Sequence, residues 1–129
     1  KETRQQIKNL DEVFKLLGEK PEQMTCYGAE GLQKEHDSFL EEQPSKEILT
    51  LFVAGAAGKA EHYEIESYTG LIDMARLLGE KDVVKLLQEN LKQEQEMSKK
   101  ATAAEKRLGK ELVPPMLEME AEAQSANAD

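Results

Sequence analysis

Ala60-Glu61-His62-Tyr63-Glu64-Ile65-Glu66-Ser67-Tyr68 lies in the middle of a long stretch with helical periodicity, and it puts acid where a helix should carry grease. At roughly 100° per residue, one broad arc of residues 49–78 collects Leu49, Phe52, Ala56, Ala60, Tyr63, Ile65, Tyr68, Leu71, Ile72, Met74 and Leu78. The opposite arc carries Gly58, Lys59, His62, Glu66, Asp73 and Arg76. Glu64 falls near the centre of the apolar arc and Glu61, three residues earlier, toward one side of it. Carboxylates that face a core are costly unless they are paired, protonated or bound to a cation. The conflict marks Glu61 and Glu64 as the first candidate functional residues.

Working outward, Ser45 before Lys46-Glu47-Ile48 reads as the N-cap of this helix, and Gly79 after Leu77-Leu78 reads as its stop. The short turn Gly79-Glu80-Lys81 makes the next segment an antiparallel neighbour. That segment, 82–112, is amphipathic, with Val83, Leu87, Leu91, Met97, Ala101 and Leu108 on one arc. Glu94 sits near the middle of the apolar arc and Glu105 further along it, whereas Glu89 and Glu96 fall outside. Counted from the turn, Glu64 and Glu94 differ in depth by only about 5 Å. Inward glutamates at one level of a helical bundle are the raw material of a carboxylate-bridged metal site, and oxygen ligation suits cations such as iron or manganese. The alternative is that lysine, arginine, tyrosine hydroxyls or water pair with them.

Upstream, residues 2–17 form another helical pattern, with Thr3, Ile7, Leu10, Val13, Phe14 and Leu17 on one face, ended by Gly18 and Pro21. A shorter helix is expected over 25–42, anchored by Leu32, Phe39 and Leu40, with His36 a partly buried structural histidine. Leu-Leu-Gly-Glu-Lys occurs at 16–20 and again at 77–81, through duplication of a helical hairpin or through reuse of one stop signal. Cys26 has no activating base nearby in the sequence and reads as a buried or incidental thiol. After Pro114-Pro115 the chain turns acidic and alanine-rich, which predicts a disordered tail over 113–129.

Composition narrows the function. The chain has 129 residues, 33% of them charged, and a net charge of −9, which argues against nucleic acid as a partner because phosphate contacts need clustered Lys and Arg. No apolar run is long enough to cross a membrane, no signal-peptide core is present, and the single cysteine fits a reducing cytoplasm. There is no glycine-rich phosphate loop and no nucleophile–base pair, so no catalytic residue is assigned.

The quoted stretch, followed by Ala75-Arg76-Leu77-Leu78-Gly79, resembles the signature of the YciF/YciE-type ferritin-like family of bacterial, stress-associated proteins. Lys85-Leu86-Leu87-Gln88-Glu89-Asn90-Leu91 running to Glu94 is similar to that family's last helix, Glu2-Thr3-Arg4-Gln5-Gln6-Ile7 to its second, and Glu30-Gly31-Leu32 to its crossover. The resemblance covers residues 2–112 and implies an all-α, ferritin-like bundle, with a crossover helix but without the first bundle helix. The chain opens at Lys1 inside a helical pattern, so a fragment is expected, or a second chain covering the open face. The candidate metal set is Glu61, Glu64 and Glu94, with Glu2, at the edge of its helix's apolar face, as a candidate fourth ligand, and the resemblance implies a further acidic ligand from the missing first helix. The Glu-x-x-His motif of ferritin-type diiron sites is missing, since Glu61 is followed three residues on by Glu64 and Glu94 by Met97. The sequence therefore favours a structural, homo-oligomeric module without catalysis, and keeps a weak or degenerate iron or manganese site as the alternative.

Overall fold

The computed structural model describes residues 2–126 of the chain, and the side chains of 3–125. It is all-helical: α1 (Glu2–Leu17), α2 (Tyr27–Glu41), α3 (Lys46–Leu77) and α4 (Lys81–Ala126). The helix ends follow local rules. Ser45 Oγ accepts the Ile48 N–H at 3.3 Å and caps α3. Gly18 takes φ of 71° and Gly79 of 79°, a left-handed conformation that costs glycine nothing. Around each glycine the same paired bonds close the helix: Gly18 N–H to Lys15 O and Glu19 N–H to Phe14 O, then Gly79 N–H to Arg76 O and Glu80 N–H to Ala75 O. The repeated pentapeptide thus encodes one stop geometry used twice.

α3 and α4 form a long antiparallel hairpin that carries the other two helices. α1 lies against α4 and runs antiparallel to it, Gln6 meeting Glu94 and Asn9 meeting Asn90. α2 packs antiparallel on the other half of α3, where Phe39 stacks on Phe52 with ring centroids 3.9 Å apart and Lys59 Nζ lies 2.7 Å from Glu35. His36 is partly buried beside Phe52, as expected, whereas Leu40 is exposed. Cys26 is exposed rather than buried. It sits at the start of α2 with Sγ 3.5 Å from the Tyr63 hydroxyl, and that hydrogen bond, with the Ala29 and Gly28 backbone, lowers its thiol pKa. Gly28 lets this contact close up, because a Cβ there would lie 2.5 Å from the end of the Tyr63 ring and the ring would have to shift.

The buried core is small: Val13 of α1, Ile72 and Ala75 of α3, and Val83 and Leu87 of α4, near the α3–α4 turn. α4 departs from expectation. It continues as helix through Pro114 and Pro115 to Ala126, so residues 113–126, assigned by composition to a disordered tail, are helical, and 127–129 lie outside the described residues. Each proline removes one intrahelical donor, but Leu112 and Met116 are partly buried and share a depression with Ser45 and Glu47 at the start of α3. That contact is not visible in the composition of the segment. Glu105 is exposed, so its place on the apolar arc has no consequence for the core.

Candidate metal centre

The α3–α4 hairpin brings the three candidate carboxylates together. Glu61 and Glu64 project from α3 and Glu94 from α4, and one oxygen of each lies within 4.8 Å of the others. Glu94 is the buried member, 4% exposed, while Glu61 is partly buried and Glu64 stands at the open side. The fourth candidate, Glu2, occupies the first position of α1, and its side chain lies outside the described residues.

Pairing bears on the two readings that the residues left open. Lys59 is engaged with Glu35 and Arg76 with Asp73, the latter at 3.0 Å. The Tyr63 hydroxyl meets Cys26, and the Tyr68 hydroxyl accepts the Asn90 side-chain N–H at 3.2 Å. Neither tyrosine nor either cation is hydrogen-bonded to the trio. His62 is exposed, with Nδ1 2.8 Å from the Gly58 carbonyl oxygen, and it lines a surface depression with Ser98 and Thr102 of α4. Glu61 Oε2 is buried without a hydrogen-bond partner among the described residues. Crowding has an electrostatic consequence: burial, a shared hydrogen bond with Glu94 and the charges of Glu94 and Glu64 push the Glu61 carboxyl up to about 7. Burial, then the bond to and charge of Glu94, lift Glu64 to about 7 as well. Glu61 and Glu64 thus hold their protons far more readily than free carboxyls do, and a cation would relieve the same crowding. Only carboxylate oxygens are offered, a donor set that suits hard divalent ions.

Periodicity missed the amides that frame this centre. Gln6 Nε2 of α1 donates to Glu94 Oε1. One turn below, Asn90 is fully buried: its Nδ2 donates to the Gln6 carbonyl at 3.3 Å and to Tyr68, and its Oδ1 accepts from Asn9 Nδ2 at 2.8 Å. Asn9 also receives the Gln5 side chain at 2.9 Å and donates to Glu89 at 3.2 Å. The interior is therefore layered: carboxylates with Gln6, then Tyr68 with Asn90 and Asn9, then the apolar core. The spacings Glu64–Tyr68 and Asn90–Glu94, each one helical turn, were the available signal, because they place two further polar residues on the inward stripe.

Comparison with known proteins agrees with this architecture. The family described as "Domain of unknown function (DUF892)" matches residues 1–112. "Protein YciF" of Escherichia coli (strain K12) is 36% identical over 102 residues, which cover 78% of this chain and 61% of that protein. A solved structure, "YcfI, a putative structural protein from Rhodopseudomonas palustris", is 40% identical with a TM-score of 0.74, over 78% of this chain and 64% of the other. The chain spans about three fifths of the length of each relative.

Proposed function

The chain belongs to the DUF892 family, and from that footing we propose that it is a non-catalytic helical module that binds a divalent metal on Glu61, Glu64 and Glu94. One observation carries the reading: three carboxylates converge across the α3–α4 interface with no Lys, Arg or Tyr partner among the described residues. The unpartnered, buried Glu61 Oε2 is an oxygen that a cation would satisfy. Glu61 and Glu64 would hold the ion from α3 and Glu94 from α4, stapling the hairpin, with Glu2 a fourth ligand. Manganese or ferrous iron fits the oxygen set. Without histidine ligands the set differs from the Glu-x-x-His centres that handle oxygen, so the metal is assigned a structural role.

The test is metal content after aerobic loading and desalting, for the parent and a Glu64→Gln/Glu94→Gln variant. About one equivalent of manganese or iron in the parent, lost in the variant, supports the proposal. No retained metal in either refutes it.

A second reading, a stress-associated structural module of a ferritin-like bundle that acts by oligomerising, is favoured by a different observation. α1 and α3 enclose an apolar groove of about 240 Å³. The "structural protein" wording attached to the Rhodopseudomonas neighbour points the same way. The two readings are compatible, since a metal staple and an assembly surface occupy different levels of the bundle.

A further inference from the structure

α4 carries a second pattern besides its inward stripe. Lys81, Lys85, Lys92, Lys99, Lys106 and Lys110 are spaced four, seven, seven, seven and four residues apart, which keeps them within about 30° of one line along the helix. In a chain with 26 acidic and 17 basic residues, cations find partners easily. Lys15 pairs with Glu12, Lys59 with Glu35, Arg76 with Asp73, Lys85 with Asp82 and Arg107 with Glu111. Lys99 and Lys106 have no such partner among the described residues. Glu105, next to Lys106 in sequence, instead turns its Oε1 toward α3, where it lies 3.6 Å from the place of a Cβ on Gly55.

These two lysines border a depression of about 350 Å³ at the seam of α3 and α4, lined also by His62, Ser98, Thr102 and Ala103 and by no carboxylate. Ser98 is only 8% exposed, yet its hydroxyl has no hydrogen-bond partner among the described residues, and neither has that of Thr102 one turn on. The hydroxyls of α3 behave otherwise. Thr50, Ser67 and Thr69 each donate to the carbonyl four residues earlier, at 2.7, 2.8 and 2.7 Å, the usual way a helix satisfies a hydroxyl. A buried hydroxyl without that bond calls for another partner. On the α3 side, the Gly58 carbonyl takes the Nδ1 proton of His62, which leaves Nε2 as the ring's free acceptor.

We propose that this depression binds a phosphate group, as free hydrogen phosphate or a small soluble monoester. Lys99 and Lys106 supply the charge, and Ser98 and Thr102 donate their hydroxyls to its oxygens. The donor set selects this class. Thr102 lies about midway between lysines that are two turns, or about 10 Å, apart along the axis. Donors spread over two turns of helix need several acceptor oxygens on one compact dianion, which phosphate offers and a monocarboxylate does not. His62 Nε2 can accept the P–OH hydrogen of hydrogen phosphate. A polynucleotide does not fit, because the net charge of −9 repels a long polyanion beyond the reach of the two lysines.

The test is titration of the full chain with inorganic phosphate and, separately, glycerol 3-phosphate, followed by backbone amide NMR shifts. Saturable shifts centred on Ser98, Lys99, Thr102 and Lys106 are expected, with a Kd of about 1 mM for so open a site. Lys99→Gln/Lys106→Gln should weaken binding about tenfold, and Thr102→Val, which leaves the charge unchanged, about threefold. Lys81→Gln/Lys92→Gln removes equal charge from the same line of lysines outside the depression and should leave the affinity as it was. Equal weakening by the two double variants, or no effect of Thr102→Val, overturns the site in favour of diffuse attraction to the lysine line. Shifts that do not saturate at tens of millimolar of either probe overturn it outright. Phosphatidylcholine vesicles containing phosphatidic acid give the last arm: binding there, with neither soluble probe bound, overturns the assignment to a soluble phosphate.

Discussion

Replacing Asn90 by alanine tests whether the amide ladder holds α1 to the hairpin. Asn90 is fully buried and makes three hydrogen bonds, to the Gln6 carbonyl, the Tyr68 hydroxyl and the Asn9 side chain, so one residue of α4 touches both α1 and α3. Each bond contributes about 1 kcal/mol net. Two of the groups left behind are partly compensated: Asn9 retains Glu89, and the Gln6 carbonyl retains its place in the α1 ladder. The Tyr68 hydroxyl is left without this donor, and the truncated side chain leaves a void. The expected loss is about 3 kcal/mol, a large share of the 5–15 kcal/mol typical of a domain. With a urea slope near 2 kcal/mol per molar, the midpoint should fall by about 1.5 M, followed by circular dichroism at 222 nm. Hydrogen exchange should show α1 amides losing protection before those of α3, because α1 has only the ladder, Val13 and a few partly buried contacts. Asn90→Leu, which restores volume without the bonds, should recover less than half of the loss. A change below 1 kcal/mol in Asn90→Ala, with α1 protection intact, would refute the view that these amides position the helix.

Two further outcomes bear on the metal centre. Glu61 and Glu64 titrate near 7 in the folded chain against an ordinary 4.5, so the folded state binds more protons between those values. Their contribution to stability is complete below about pH 4.5 and is lost as the pH rises through 7. Metal-free protein should thus be about 1–2 kcal/mol less stable at pH 8 than at pH 5.5, a figure reduced for the exposure of Glu64. Excess manganese should flatten or invert the slope, because binding displaces those protons, and melting curves at the two pH values, with and without metal, decide it. Gln6→Leu removes the donor that orients Glu94 and should weaken manganese binding about tenfold. Titration of the variant beside the parent checks this, and equal affinities would show that Glu94 is held by its backbone alone.

The all-helical class, the antiparallel α3–α4 hairpin and the convergence of Glu61, Glu64 and Glu94 were legible in the sequence because each rests on local information. Helical periodicity is a property of one strand of chain, a glycine in the left-handed region ends a helix wherever it occurs, and a short turn leaves two helices no choice but to lie side by side. Tertiary structure decided what each face meets. Asn90, Asn9 and Gln6 resemble surface amides, and only the docking of α1 on α4 shows that they are inside, bonded to one another. The apolar face of α1 reaches the core only in part: Val13 is buried and Leu10 packs beside it, yet Ile7 and Leu17 of the same face are exposed. Hydrophobicity states that a face seeks cover but not which partner supplies it. Tyr63 and Tyr68 were within reach of the carboxylates along their own helix and instead pair with Cys26 and Asn90, residues 37 and 22 positions away in sequence. A hydrogen bond is decided by distance and direction in three dimensions, and one-dimensional spacing supplies those only within a turn or two of a helix.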